Sequence, residues 1–600
     1  MPTIKVMPNE VEFAYNEGSS LLELLIREHL IIENPCNGRG TCGKCKVRHI
    51  SGKLPSAGEK EKELLSAAEQ EENIRLSCCV FPREDATFEI RQNEEGDKVL
   101  SDGFTPEYVF EPSVYKKLCQ IEKPSIENQK SYTELFAHAT NIDSINLKTL
   151  RQLPVNQSVC TAIYHNDDLL FIESGDIGGE IYGLAIDIGT TTVVVSLINL
   201  LTGKILGSET CINAQKAYGS DVLTRITYVL EKPEIGIREL HDAVVGDINK
   251  LIKTLCEKNH IDHSFIYDIA VAANPTMLHL LLEINPVTIG VSPYVPVFSS
   301  ALDVPAMEVG LLCADTSRLY CLPGVSAYIG SDVVAGAYVS GFAEEKGNVL
   351  FIDIGTNGEI ALACGGKIIS CSCAAGPAFE GMNISAGTRA VPGAIEDIVF
   401  EDDMFKITTI DNEEPVGICG SGVMAAISEM FAGGFLKTNG ALYKEDDFVE
   451  NDFHRNFLWT QGRDKGVYLY KGKTSVSITQ KDIRQVQLAK AAILSGFYAL
   501  LKIAGIGMED LDKVIIAGQF GSHLSVKSLV GIGLIPAELS EKIVYIGNSA
   551  HTGAYLSLIS KRSRKEMERL AVRISYKELS TLSEYERLFR KCLEFPNQRQ

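Results

Sequence analysis

Three cysteines share one short glycine-rich loop, PCNGRGTCGKCKV: Cys36, Cys42 and Cys45, spaced C-x5-C-x2-C. After a gap of 32 residues comes the adjacent pair Cys78 and Cys79. A structural zinc site normally uses paired CxxC knuckles, and only one CxxC is present here. A thioredoxin-type CxxC opens a helix, whereas Cys45 runs into the strand-like KVRHI. A [2Fe–2S] cluster wants three thiolates on one loop and a fourth from far away. It also wants glycines, here Gly38, Gly40 and Gly43, so that backbone N–H groups approach the sulfurs. The cluster fits best, and the spacing leaves open which of Cys78 and Cys79 is the fourth ligand.

A second chemistry is written twice. IDIGT occurs in GLAIDIGTTTVVVSL and again in NVLFIDIGTNGEIAL, placing Asp187 and Asp353 166 residues apart. In each copy an apolar strand ends in Asp, which can hold Mg²⁺, commonly through water. Gly189 or Gly355 then turns the chain close to a phosphate. Thr190, Thr191 and Thr192, and in the second copy Thr356 and Asn357, come next, where N–H and side-chain donors would face phosphate oxygens.

The elements that must position these residues fall into segments. Residues 1–92 read as a small β-grasp module: strands in TIKVMP and VEFAY, a Ser-capped helix in SSLLELLIREHL, then strands in KCKVRHI and TFEIR. The Glu/Lys-rich stretch 59–73 reads as an exposed helix without a site. Residues 93–114 are polar with Gly and Pro and read as a linker; 115–180 read as a small middle domain. From 181 to 600 strong strands alternate with amphipathic helices, an α/β pattern that the repeat divides into halves of about 181–345 and 346–600. The charged stretch 565–592 reads as a solvated surface.

The chain has 600 residues, 45% apolar and 22% charged, with net charge −21. That supports several folded domains and argues against nucleic acid or an anionic membrane as partner. No uninterrupted apolar run approaches the ~18 residues a membrane span needs, and no secretory signal is evident. Sixteen cysteines, many lying singly in apolar strands, suit a reducing cytoplasm.

The cysteine loop resembles the adrenodoxin and putidaredoxin type of [2Fe–2S] ferredoxin. In that resemblance Arg75-Leu76-Ser77-Cys78 matches the R-L-x-C carrying the last ligand, which implies Cys36, Cys42, Cys45 and Cys78 as the metal ligands, with Cys79 on the opposite side of the chain. The paired IDIGT stretches resemble the two phosphate loops of the actin, sugar kinase and Hsp70 (ASKHA) superfamily. KVIIAGQFG then resembles its nucleoside loop, with Gly518 and Gly521 letting adenosine approach. GICGSG, with Gly420 and Gly422, resembles a nucleotide-side loop opening a helix. NAQKAYGSDVLTRI, NPTMLHLLL and AAGPAFEGMNISAG, together with the order of parts, resemble the reductive activators of corrinoid-dependent methyltransferases and of the corrinoid iron–sulfur protein.

The resemblance implies a [2Fe–2S] cluster, ATP and Mg²⁺ as cofactors. Asp187 and Asp353 would be the catalytic Mg²⁺-organising residues, a low-potential electron donor and a corrinoid protein the partners, and a homodimer the assembly. The implied reaction is ATP-dependent reduction of Co(II) to Co(I). Alternatives are a small-molecule kinase fused to a ferredoxin and an electron carrier with a regulatory nucleotide module. Ala273-Asn274-Pro275-Thr276-Met277 departs from an expected G-N-T-T-M, which argues against a direct role for that loop. Cys371 and Cys373 read as buried strand cysteines, His279 as a packed histidine, and Glu380 as a candidate water-orienting base or Mg²⁺ partner.

Overall fold

The computed structural model describes residues 2–7, 11–15, 18–28, 30, 32, 38, 40, 43, 45–65, 67–90, 105–142, 145, 147–151, 153–155, 157–176, 180–472, 474–518 and 524–596. Cys36, Cys42 and Gly521 lie outside them.

The N-terminal module is a five-stranded mixed sheet in the spatial order Val11–Ala14, Thr3–Met7, Ala86–Glu89, Lys46–Gly52, Ile74–Leu76. Thr3–Met7 and Ala86–Glu89 run parallel within it. Ser20 caps the helix Leu21–Arg27 in a capping box with Glu23, and Leu21, Leu22, Leu24 and Leu25 bury its apolar face on the sheet. This is a β-grasp. The stretch 59–73 does not form one exposed helix. It folds as Glu59–Leu64 and Ala67–Glu71, and Glu61 is only 1% exposed because Arg75 pairs with it.

Next, strands Val114–Gln120, Val159–His165 and Asp168–Ser174 form an antiparallel sheet that carries the helix Tyr132–Thr140. One face encloses Phe136, Cys119 and Cys160. Val114 and Ile163 join a core that also contains Ala185 and Ile198, so this sheet is packed onto the large region C-terminal to it. The chain just before the sheet is pinned too: Glu111 N–H donates to Ile559 O, and Lys561 N–H donates to Glu111 O, each at 2.8 Å.

That C-terminal region is built twice. The first sheet runs Ile205–Ile212, Thr192–Asn199, Tyr182–Ile188, Ile266–Ala273, Arg318–Cys321, with Leu302–Pro305 at its edge. The second runs Lys367–Cys373, Gly358–Cys364, Val349–Ile354, Lys513–Ala517, Ile543–Gly547, with Ile574–Tyr576 beyond its first strand. Each has three antiparallel strands followed by two parallel ones. Their central strands are apolar and β-branched because both faces are covered. A long helix precedes the fourth strand in each half, Gly236–Asn259 and Gln480–Ala504. The latter is long and apolar enough to cross a membrane, yet it is a core helix, with buried Lys490 donating to Cys592 O at 2.8 Å and Glu594 O at 2.6 Å. The second half is enlarged by two three-stranded sheets between residues 394 and 479.

After the fifth strand each half has a short helix, Ser331–Val339 and Ser549–Ile559, and these two cross between the sheets. They cross at glycines. A Cβ at Gly553 would stand 2.4 Å from Ala335 Cβ, and one at Gly336 2.5 Å from the Phe351 ring. The stretch 565–592 is not simply solvated surface: helix Lys561–Arg573 buries Met567 and Leu570, and Ile574–Tyr576 extends the second sheet. Arg564 in the same helix makes a 2.5 Å buried ion pair with Asp268 of the first half.

Substituting Gly553 by Val should overpack this crossing and destabilise the C-terminal region by about 2 kcal/mol. Thermal unfolding followed by near-UV circular dichroism checks it; an unchanged transition would show that the crossing is not tight.

Candidate functional site

The two IDIGT strands end side by side, one from each half. Their turns both start at the glycine but close differently: Gly189 N–H donates to Thr192 O at 2.8 Å across a four-residue turn, and Gly355 N–H to Asn357 O at 3.1 Å across a three-residue one. Between them lies a cavity of about 130 Å³. It brings together Asp187, Gly189, Thr190, Thr191 and Thr192 from the first turn with Asp353, Gly355, Thr356 and Asn357 from the second, and Gly518 from the end of the adjoining strand. Gly518 has φ +99°, and a Cβ there would stand 2.6 Å from Asp353 Oδ1, so the position needs glycine. Gly420 and Gly422 do not line the cavity. A Cβ at Gly420 would lie 1.9 Å from Phe379 O and one at Gly422 2.1 Å from Ile395 O. They seat the helix Gly420–Ala432 against the chain beneath the site.

The stretch 213–226 explains itself here. Asn213 Nδ2 donates to Gly189 O at 2.9 Å. Arg225, fully buried, donates to Thr190 O, and to Gln215 Oε1 at 3.0 Å. Both hold the first turn from behind. The expectation against the 273–277 loop is corrected: Asn274 caps the helix Pro275–Leu281 and its Nδ2 donates to Thr190 Oγ1 at 3.2 Å on the cavity wall. His279 is packed, its ring nitrogens meeting Pro275 O at 2.7 Å and Val297 N at 2.9 Å.

Five carboxylates share the cavity: Asp187, Asp353, Glu380 and two that sequence reading missed, Asp332 and Glu359. Among the described residues that line it there is no lysine or arginine. Burial pushes Asp187 up to about 7, and the charge of Asp332 adds to it while an Asn548 hydrogen bond at 3.0 Å opposes it. Burial followed by Asp332 and Asp187 raises Asp353 to about 7 as well. Asp332 is raised by burial to about 6. Burial, then Asp332 and Asp353, lifts Glu359 well above the ordinary range. These are hard oxygen ligands in want of a cation. Among the described residues no three metal-binding side chains converge on one point. The arrangement therefore suits a divalent ion that keeps much of its water and is held mainly by phosphate, as Mg²⁺ is.

A signal for Asp332 exists. YIGSDVVAGAYVS (328–340) and YIGNSAHTGAYLS (545–557) are a second repeat. It aligns Gly336 with Gly553, the crossing glycines. It also sets Ser331 against Asn548 and Asp332 against Ser549, so that Asp332 falls at a position whose counterpart in the second copy lines the cavity.

In the N-terminal module, Cys45 Sγ and Cys78 Sγ lie 3.3 Å apart, close enough to bind one tetrahedral iron. Pairing with Cys78 pulls the Cys45 thiol down to about 6, and the same pairing pushes Cys78 up. Cys79 does not turn to the opposite side: its sulfur is 3.7 Å from that of Cys78, and a Cβ on Gly40 would lie 3.5 Å from it. Gly38, Gly40 and Gly43 all have positive φ, as a loop wrapping a cluster needs. Arg75 sets the strand that delivers Cys78 through two bonds to Glu61, at 2.9 and 2.8 Å, while Glu61 also accepts from Leu76 N–H. The residues present thus fit an iron–sulfur cluster.

A β-grasp module with a buried cysteine pair, joined to a duplicated domain with a phosphate-type cleft between its halves, defines a ferredoxin fused to an ASKHA-type domain. The comparisons agree. A 2Fe-2S iron-sulfur cluster binding domain matches residues 4–83, the RACo middle region residues 182–345, and the C-terminal ASKHA domain of RACo residues 347–600. The corrinoid activation enzyme RamQ of Eubacterium limosum is 30% identical over 92% of both chains. The [Co(II) methylated amine-specific corrinoid protein] reductase of Methanosarcina barkeri is 26% identical over 66% of this chain and 73% of its own. The solved structure of a reductive activator for corrinoid, iron-sulfur protein superposes with TM-score 0.74 at 32% identity, covering 99% of this chain and 98% of that one. The chain belongs to this family of corrinoid activation enzymes.

Raised carboxylate pKa values have a definite sign. Asp187 and Asp353 hold their protons to about pH 7 when folded and to about pH 4 when unfolded, so the nucleotide-free protein loses stability as pH rises across that window. Asp353→Asn should flatten that decline, which urea titrations at pH 5 and pH 8 would measure. An equally steep decline in the variant would contradict the account of Asp353 as a buried, proton-holding carboxylate.

Proposed function

We propose that this chain reduces the Co(II) centre of a corrinoid protein to Co(I) and uses ATP bound between its two halves to do so. The observation that carries the reading is the cleft. Two phosphate-type turns face each other over buried carboxylates with no lysine or arginine among the described residues around them, in a chain that also delivers a close cysteine pair. The family supplies the corrinoid substrate, since relatives are named for activating or reducing corrinoid proteins.

Cys45 and Cys78, with Cys36 and Cys42 from the loop, would hold a [2Fe–2S] cluster, which supplies one-electron chemistry when bound. Arg75 and Glu61 fix the backbone that presents Cys78. In the cleft, Asp187 and Asp353 would hold Mg²⁺, which would neutralise phosphate charge when bound. The turn N–H groups and the hydroxyls of Thr190, Thr191 and Thr356, with Asn357, bind phosphate oxygens. Gly518 gives the nucleoside side room beside Asp353, and Gly521 belongs to the same KVIIAGQFG stretch. Plant-type clusters lie near −400 mV, and making Co(I) needs a strong drive. ATP can supply it only by changing the relative stability of two states of the complex. The cleft lies between two halves that cross at one helix pair, so filling it from both sides is the step that can alter their relation. A low-potential donor would supply the electron, and a cytoplasmic setting suits the thiols.

Asp187→Asn and Asp353→Asn should each lower ATP-dependent Co(I) formation by about 100-fold or more, followed by Co(I) absorbance with a Co(II) corrinoid protein and a low-potential reductant. Full activity in either variant would remove the Mg²⁺ assignment.

A further inference from the structure

One buried carboxylate in the cleft is not explained by metal binding. Glu380 is 7% exposed and spends both oxygens on threonine hydroxyls from opposite halves. Thr191 Oγ1 donates to Oε2 at 3.0 Å, and Thr356 Oγ1 donates to Oε1 at 2.5 Å. These are the hydroxyls that the cleft would offer to phosphate. Glu380 ends a tight turn, Pro377–Glu380, between Gly376 and Gly381, both with positive φ. Gly376 N–H ties that turn to Thr356 O at 2.8 Å. Behind it, Phe379 O presses on the Gly420 position, where no Cβ fits, at the start of the helix Gly420–Ala432. The turn therefore cannot shift without that helix.

We propose that Glu380 is a latch that senses the terminal phosphate of the nucleotide, clasping Thr191 and Thr356 across the cleft and yielding them when a triphosphate binds. The proposal rests on the ATP reading above and deepens it. A hydroxyl donates one hydrogen bond at a time. A γ-phosphate that takes these two must therefore break both bonds to Glu380, and it then stands beside a carboxylate of like charge. The side chain, nearly buried and with both threonine bonds lost, is driven off with its turn. That displacement pushes on helix Gly420–Ala432, which packs against the strand Ala394–Glu401 of the enlarged second half. A diphosphate does not reach the threonines and leaves the latch closed. Lys216 and Arg389 both act on Glu380 electrostatically, favouring its charged form, and burial opposes them with the larger effect. Glu380 is in this reading a positioning residue acting through the two threonines.

The test is the discrimination between triphosphate and diphosphate in the full-length protein, measured by calorimetric titration with a non-hydrolysable ATP analogue and with ADP. Glu380→Gln replaces two charge-assisted bonds by weaker neutral ones and removes the repulsion. It should tighten the analogue by about tenfold and leave ADP unchanged. In the wild type, hydrogen exchange of residues 377–381 and 420–424 should quicken with the ATP analogue but not with ADP, a readout that needs no variant. A Glu380→Gln ratio that stays put or falls, or exchange that responds equally to both nucleotides, overturns the latch. Wild-type protein that binds neither nucleotide refutes the ATP reading and the latch with it. Binding of both with an unmoved ratio refutes the latch alone.

Discussion

Besides Glu380, four carboxylates line one cleft with no lysine or arginine among the described residues around it, and the design of the C-terminal region turns on their burial together. Asp187 and Asp353 are set there by the ends of two buried strands, Asp332 by the start of a helix, and Glu359 by the partner strand of Asp353. Folding alone leaves them costly, with protons retained to about pH 7 on Asp187 and Asp353. A site of this kind is stabilised by what binds it, so ligand binding and the arrangement of the halves are one equilibrium. That gives a bound nucleotide the means to do work elsewhere.

The supports divide between the halves in an uneven way. The first turn is held by a dense polar network, with Asn213, Arg225 and Asn274 all bonded to Gly189 or Thr190. The second is held by close packing, with Gly518 against Asp353 and Gly376 bonded to Thr356. Rigid walls on both sides leave the Glu380 turn and the crossing helices as the parts that register a change between them. Gly553 lets its helix sit directly on Ala335 of the other, and Gly336 leaves room for Phe351 and Ser549, so a small rotation of one helix is felt by the other.

Much of this was legible from residues whose spacing is chemically demanding. The duplicated IDIGT named both turns, and the cysteine loop named the small module, because strand-then-turn and loop-then-distant-thiol patterns leave little freedom. The motif 213–226 could be recognised as special, but its task as a brace is a long-range fact: Arg225 meets Thr190 35 residues away. Asp332 and Glu359 went unseen because each looks like an ordinary helix-start or strand residue, although the second repeat, YIGSDVVAGAY against YIGNSAHTGAY, marks Asp332. Gly420 and Gly422 were misplaced for the opposite reason. A glycine-rich helix start suggests an anion site, and here the glycines serve close packing on Phe379 O and Ile395 O. Charge-rich stretches misled as well, since Glu61 is buried in an ion pair and Met567 and Leu570 are buried among charged neighbours, which composition cannot show.

The electron side and the nucleotide side are chemically separate, and the proposed function requires that one drive the other. The decisive measurement follows ATP hydrolysis and Co(I) absorbance together, in one anaerobic sample of the reconstituted protein with a Co(II) corrinoid protein and a low-potential reductant. Coupling of the two sides predicts that Co(I) accumulates only with ATP and that hydrolysis accelerates when the corrinoid protein is added. Equal Co(I) formation with ADP or without nucleotide, or hydrolysis indifferent to the corrinoid protein, would contradict it.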